Sequence, residues 1–135
     1  MKPGQVLVLM GSSGIGKSSL LECVTGNLKH TGEIKGNTNY FNVYQDTEQL
    51  FPWMTVLENL QLANNKTDWH KHAEQFKLAH KLENYPNECS VGQRQRFTLL
   101  RAIHSGKSVL LCDEPLSGVD SDTAIKICNE FRNYV

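Results

Sequence analysis

Eight consecutive residues, Gly11-Ser12-Ser13-Gly14-Ile15-Gly16-Lys17-Ser18, carry the densest chemical signal in this chain. They match G-x-x-x-x-G-K-[ST], the pattern of a loop that cradles phosphate. The glycines let the backbone curl so that its N–H groups point at phosphate oxygens, and a helix starting at the loop adds its positive end. Lys17 supplies a mobile charge to the β- and γ-phosphates of a nucleotide. Ser18 offers a hydroxyl to a bridging Mg²⁺, and Ser19 follows it at the helix start as a further phosphate-binding residue.

A second constellation is Val109-Leu110-Leu111-Cys112-Asp113-Glu114, four apolar residues ending in two carboxylates. Such a strand buries itself and delivers its acids to the carboxyl end of a sheet, where α/β folds place their ligands. This is a Walker B pattern. Asp113 suits the magnesium shell, and Glu114 suits a group that accepts the proton of, or orients, the water attacking the γ-phosphate. Taken alone it is a strand followed by a turn acid before Pro115; standing 96 residues after Lys17, it becomes the partner of the phosphate loop.

Positioning these groups requires elements with the right periodicity. Residues 5–10 form a short aliphatic run bounded by Pro3-Gly4 and Gly11, which predicts a buried parallel strand. Residues 18–28 predict a helix with Leu20, Leu21, Val24 and Leu28 on one face and Gly26-Asn27 where it should end. Residues 31–34 and 39–44 read as extended pieces separated by a Gly36-Asn37 turn. Helices are predicted at 55–63, 69–82, 92–104 and 122–134, with Asp68 able to cap the second, and a further buried strand at 108–112. Strands alternating with helices imply a parallel α/β sheet.

Length and composition agree with one such domain. The 135 residues carry 14 Lys+Arg and 14 Asp+Glu, with 39% apolar and 21% charged residues, a balance that excludes a disordered or disulfide-built chain. Zero net charge argues against a nucleic-acid partner. No run approaches the ~20 apolar residues of a spanning helix, so no direct membrane insertion is expected. Cys23, Cys89, Cys112 and Cys128 are widely spaced, which points to burial as small apolar residues. The five histidines, His30, His70, His72, His80 and His104, show no metal-ligand spacing and read as solvated or partly buried structural residues.

At Cys89-Ser90-Val91-Gly92-Gln93-Arg94-Gln95-Arg96 the chain resembles the ABC ATPases, whose signature motif is commonly L-S-G-G-Q followed by basic and polar residues. The resemblance extends to Gln45, which is like the Q-loop. Residues 52–60 look like the start of the helical subdomain of importer ATPases, and Leu116-Ser117-Gly118-Val119-Asp120 is similar to the D-loop. It implies a P-loop NTPase of the RecA-like three-layer α/β kind, with a parallel sheet and a small helical insertion at about 51–89 in a single domain, 1–135.

It also implies ATP and Mg²⁺ as ligands and two ATPase subunits, a homodimer or heterodimer, sandwiching ATP beneath a membrane permease on the cytoplasmic face. Ser90, Gly92 and Gln93 would then touch the γ-phosphate in trans. Gln45 would reach the magnesium or the attacking water, and Asp120 would act across the dimer. Trp53, Met54 and Leu57 suit either a permease-docking surface or the core of the helical subdomain.

The chain departs from the family in three ways. Cys89 and Val91 replace the usual Leu and Gly of the signature, and Val91 crowds a surface meant to approach phosphate. The upstream aromatic A-loop and the downstream switch histidine have no counterpart, and only 28 residues separate Lys17 from Gln45. A compact variant covered by a partner, or a fragment of a longer frame, is therefore expected.

Rival readings are a non-hydrolysing nucleotide-dependent interaction module, a P-loop kinase, and a non-transport member of the same superfamily. Without the resemblance, residues 89–96 read as a helix capped by Ser90 with Arg94 and Arg96 in water.

Overall fold

The computed structural model describes residues 5–36, 39–44 and 49–134. Its helices are α1 (Lys17–Thr25), α2 (Val56–Gln61), α3 (Trp69–Gln75), α4 (Val91–Ile103) and α5 (Ser121–Tyr134), and its strands are β1 (Tyr40–Val43) and β2 (Val109–Cys112). Two 3₁₀ turns, Ala79–Lys81 and Pro86–Glu88, lie between α3 and α4. The strands pair in parallel with Tyr40 opposite Val109 and Val43 opposite Cys112. Parallel pairing requires a crossover, and the helical stretch between the strands supplies it.

α4 is the hub. Phe97, Leu99, Leu100, Ala102 and Ile103 are all buried, because apolar residues crowd the second half of this helix while its first turn, Val91 included, stays at the surface. It packs against α2, α3, α5 and β1. Leu60 from α2, Phe76 and Leu82 from around the 3₁₀ turn, Val43 from β1 and Ile127 from α5 complete one continuous core.

α2 starts at a capping box, in which Glu58 N–H donates to Thr55 Oγ1 and Thr55 N–H donates to the Glu58 carboxylate. Two more N–H donors near its start, Val56 and Leu57, reach the carbonyls of Asn84 and Leu82. That satisfies groups a helix cannot satisfy within itself and sews α2 to the end of the helical stretch. Asn59, fully buried, accepts from Phe51 N–H at 2.7 Å and donates to the carbonyls of Phe51, Met54 and Thr55. One amide side chain thus holds the whole entry turn 51–55.

Several sequence expectations change. The helix expected at 69–82 is capped by Asp68 as predicted but ends at Gln75. Lys77 turns into the left-handed region at φ 56, and Arg96 Nη1 donates to the Phe76 carbonyl at 2.7 Å, capping the break from another element. Residues 5–10 form no strand. Val6 is 75% and Met10 89% exposed, because a parallel strand holds only when it is paired and covered on both faces, and the described sheet stops at two strands.

α1 ends at Thr25, where Gly26 adopts φ 77, and buries none of its residues. Leu20 and Leu28 stay exposed for the same lack of a covering layer. Residues 31–34 also lie outside any strand, having no ladder partner among the described residues, and Asn37 of the expected turn lies outside those residues. Of the cysteines, Cys89 is buried, Cys23 and Cys112 are half-buried, and Cys128 is exposed, against expectation, because it faces outward from α5. Burial pushes the Cys112 thiol up to about 12, in keeping with an inert apolar role.

Replacing Asn59 with Leu removes the acceptor of the Phe51 N–H and the side-chain donor to the Met54 carbonyl, while the Phe51 and Thr55 carbonyls keep their backbone donors, Met54 N–H and Asn59 N–H. The expected loss is about 3 kcal/mol of stability, read as a lower urea midpoint at unchanged slope.

Candidate functional site

The phosphate loop takes its shape from two glycines and one lysine. Gly14 and Gly16 lie at φ 80 and φ 101, where L side chains are strained, so glycine at these two positions of the loop is a backbone requirement. Lys17 Nζ folds back and donates to the carbonyls of Gly11 and Ser12, each at 2.9 Å, which closes the loop under the ammonium. Gly16 is the N-cap of α1 and no side chain caps that end, so the first-turn N–H groups around Ser18 and Ser19 face outward for an anion. Ser12, Ser13 and Ile15 line the exposed rim. Tyr40 Oη donating to the Thr25 carbonyl at 2.8 Å and Asn27 Nδ2 donating to Tyr44 Oη at 2.7 Å tie the far end of α1 to β1.

Asp113 continues the ladder beyond β2, donating its N–H to the Val43 carbonyl at 3.0 Å. Glu114 follows in the left-handed region at φ 46, a conformation that costs a non-glycine residue of order 1–3 kcal/mol. Its carbonyl accepts from Gln95 Nε2 at 3.2 Å and from Ser117 N–H at 3.1 Å. The strained turn is thereby held from α4 and from the following loop, and the Glu114 side chain is turned to the surface. Ser18 and Asp113 offer hard oxygen donors, a set that fits Mg²⁺. Gln45 lies outside the described residues.

Ser90 caps α4. Its hydroxyl accepts from Gln93 N–H at 3.3 Å while Gln93 Oε1 accepts from Ser90 N–H at 2.8 Å. Gln93 therefore spends its carbonyl oxygen on the cap. Arg94 and Arg96, read from the sequence as solvated when the resemblance is set aside, instead bind backbone carbonyls: Arg94 that of Cys89, and Arg96 those of Gly92 and Phe76.

Val91, Gly92, Gln95, Ser117 and Gly118 line a concavity of about 300 Å³, which brings the residues after Ser90 together with those before Asp120. Nothing lies within 4 Å of the place a Cβ on Gly92 would occupy. Val91 is more than half exposed at this surface, so its bulk crowds the surface rather than the core. Asp120 caps α5 by accepting from Thr123 N–H at 3.0 Å and pairs with Lys77 at 3.2 Å. Hydrogen bonding from Thr123 above all, then the Lys77 ammonium, brings its carboxyl down to about 2. The Lys77 contact had no signal in the sequence, since it spans 43 residues and needs the left-handed turn at Lys77.

The loop, the α1 N-terminus and the acids at the end of β2 define a P-loop NTPase. The chain belongs to the ABC transporter family: the profile described as "ABC transporter" matches residues 1–117. It is 33% identical to the aliphatic sulfonates import ATP-binding protein SsuB 1 of Rhodococcus jostii (strain RHA1), over 93% of this chain and 54% of that protein. It is 34% identical to the aliphatic sulfonates import ATP-binding protein SsuB of Delftia acidovorans, over 98% of this chain and 58% of that protein. Among solved structures, a dimeric ATP-binding cassette in a post-hydrolysis state with ADP and Pi superimposes with a TM-score of 0.76 at 27% identity, over 96% of this chain and 69% of that one. The chain spans about half the length of the curated relatives it matches.

Ser90→Ala removes half of the α4 capping box and is expected to lower stability by about 1 kcal/mol, while Ser90→Asp retains the cap. Urea unfolding of the two variants checks the pair.

Proposed function

We propose that the chain is the ATP-binding subunit of an importer, binding ATP with Mg²⁺ and hydrolysing it. The observation that carries this reading is the closed phosphate loop, with Lys17 drawn over it by the Gly11 and Ser12 carbonyls. In this reading the loop 11–19 receives the phosphates through backbone N–H groups and Lys17 neutralises the β- and γ-oxygens. Ser18, Asp113 and Gln45 would hold Mg²⁺, which would supply charge neutralisation for the phosphates. Glu114 takes a proton from the attacking water or orients it, and its strained turn keeps the carboxylate at the end of β2.

A second subunit presents Ser90, Gly92 and Gln93 to the γ-phosphate in trans, with Asp120 at the same interface. The concavity that joins Gly92 to the loop before Asp120 supports that pairing. The dimeric cassette among the similar structures supports a dimer, and the two sulfonate-import relatives support import.

Residues 51–89 act as the helical insertion of a single domain 1–135 that touches a membrane permease from the cytoplasmic side. Trp53, 72% exposed and 5.3 Å from the Phe51 ring, is the docking group, whereas Leu57 packs into the core. No helix among the described residues is long and apolar enough to cross a membrane.

Steady-state ATP hydrolysis and ATP binding, measured on the same samples of purified chain, test the proposal. Lys17→Met is expected to weaken ATP binding by about 10- to 100-fold, the value of a charge-assisted contact. Glu114→Gln should keep binding and lose about 100-fold or more of turnover. Binding without turnover in the wild type would instead favour the interaction module, in which ATP orders the chain and a partner reads that order.

A further inference from the structure

A cluster unrelated to the nucleotide motifs sits where three helices meet. His72 comes from α3, His104 is the C-cap of α4 and Glu130 lies on α5, three elements in mutual contact. One ligating atom of each lies within 4.8 Å of those of the other two. His72 Nδ1 stands 3.6 Å from Glu130 Oε2, and the two imidazole rings are 4.3 Å apart and tilted by 62°. Trp69 stands edge-on to His104 at 5.2 Å and closes one side.

Two polar atoms in this cluster are buried without a hydrogen-bond partner, His72 Nδ1 and His104 Nε2. Buried nitrogens left unmatched are costly, and native structures keep few of them without a reason. A third orphan, Gln75 Oε1, belongs to the same helix as His72. Gln75 lines a concavity of about 260 Å³ with Lys126, Asn129 and Glu130, so the cluster borders a space open to solvent.

We infer that His72, His104 and Glu130 form a binding site for a divalent transition-metal ion, with Zn²⁺ the best chemical match. Two imidazole nitrogens and one carboxylate oxygen form a borderline-soft set that suits Zn²⁺ and its first-row neighbours better than Mg²⁺ or Ca²⁺. Donors in a tetrahedral zinc site with ~2.1 Å bonds stand about 3.4 Å apart, so rotamer adjustment suffices to close the cluster. A solvent molecule entering past Glu130 completes the fourth position. The bound ion ties α3, the end of α4 and α5 together and so stiffens the junction between the helical stretch and the C-terminal helix.

The test is titration of the purified full chain with Zn²⁺ against a chromophoric chelator, with the thermal midpoint and the Co²⁺ spectrum of the same samples. The expected result is one ion per chain and a midpoint that rises with free Zn²⁺. The Co²⁺ spectrum should show visible ligand-field bands without a thiolate charge-transfer band, which separates this site from the four free cysteines.

His72→Ala and Glu130→Gln should each weaken binding by on the order of 100-fold or more, above the usual loss for a group behind the ligands. His104→Phe keeps a ring against Trp69, so it should melt cooperatively without metal and lose the zinc-dependent rise. Glu130→Gln keeps the shape of the side chain and decides the matter if His72→Ala fails to fold. Absence of saturable one-ion binding, wild-type affinity in the folded variants, or a thiolate band overturns the proposal.

Discussion

Parallel pairing of β1 with β2 is the constraint on which the rest of the structure depends. It joins segments that begin 69 residues apart and aligns them in register from Tyr40–Val109 to Val43–Cys112. Because the strands run the same way, the residues after β1 and the acids after β2 emerge at one end of the sheet. The Asp113 N–H bond to the Val43 carbonyl carries the ladder to the acid itself, so the position of Asp113 follows from backbone geometry before its side chain matters. Parallel strands cannot be joined by a short turn, and the long connection between them becomes the helical stretch that carries α2, α3 and α4.

α4 converts that arrangement into a coupled one. Its second half is buried in the core, while its first turn is held by Ser90 and Gln93 at the surface. Gln95 reaches the Glu114 carbonyl, Arg96 caps α3 at Phe76, and Arg101 donates to the Gln49 carbonyl at 2.6 Å with its guanidinium 5.5 Å over Phe41. Each arginine is matched to carbonyl oxygens rather than to a carboxylate. Carbonyl partners give direction at a lower desolvation cost than a buried ion pair, because only one of the two groups carries a charge. A shift of the α4 N-terminus therefore moves the Glu114 turn and the end of α3 together.

The phosphate loop stands at the opposite extreme. α1 buries nothing, and two side-chain contacts, Tyr40 to Thr25 and Tyr44 to Asn27, hold it against the sheet. The loop nevertheless keeps its shape, since Lys17 and the left-handed glycines determine it locally. The shape of this loop is thus set within a dozen residues, while the apolar faces of 5–10 and α1 stay open.

What the residues determined by themselves was local: the phosphate loop, the caps at Asp68 and Ser90, the acids ending β2, and the family resemblance, since each depends on a few neighbours in sequence. What only the tertiary structure decided was every feature whose energy comes from a distant partner. The aliphatic run 5–10 had the pattern of a strand but lacks a ladder, and strand identity resides in pairing rather than in propensity. The helix expected to continue to residue 82 stops after Gln75 because a left-handed Lys77 and an arginine from α4 complete its end better than another turn does. His72, His104 and Glu130 carry no spacing that could announce them, for they come from three helices and meet only when α3, α4 and α5 pack.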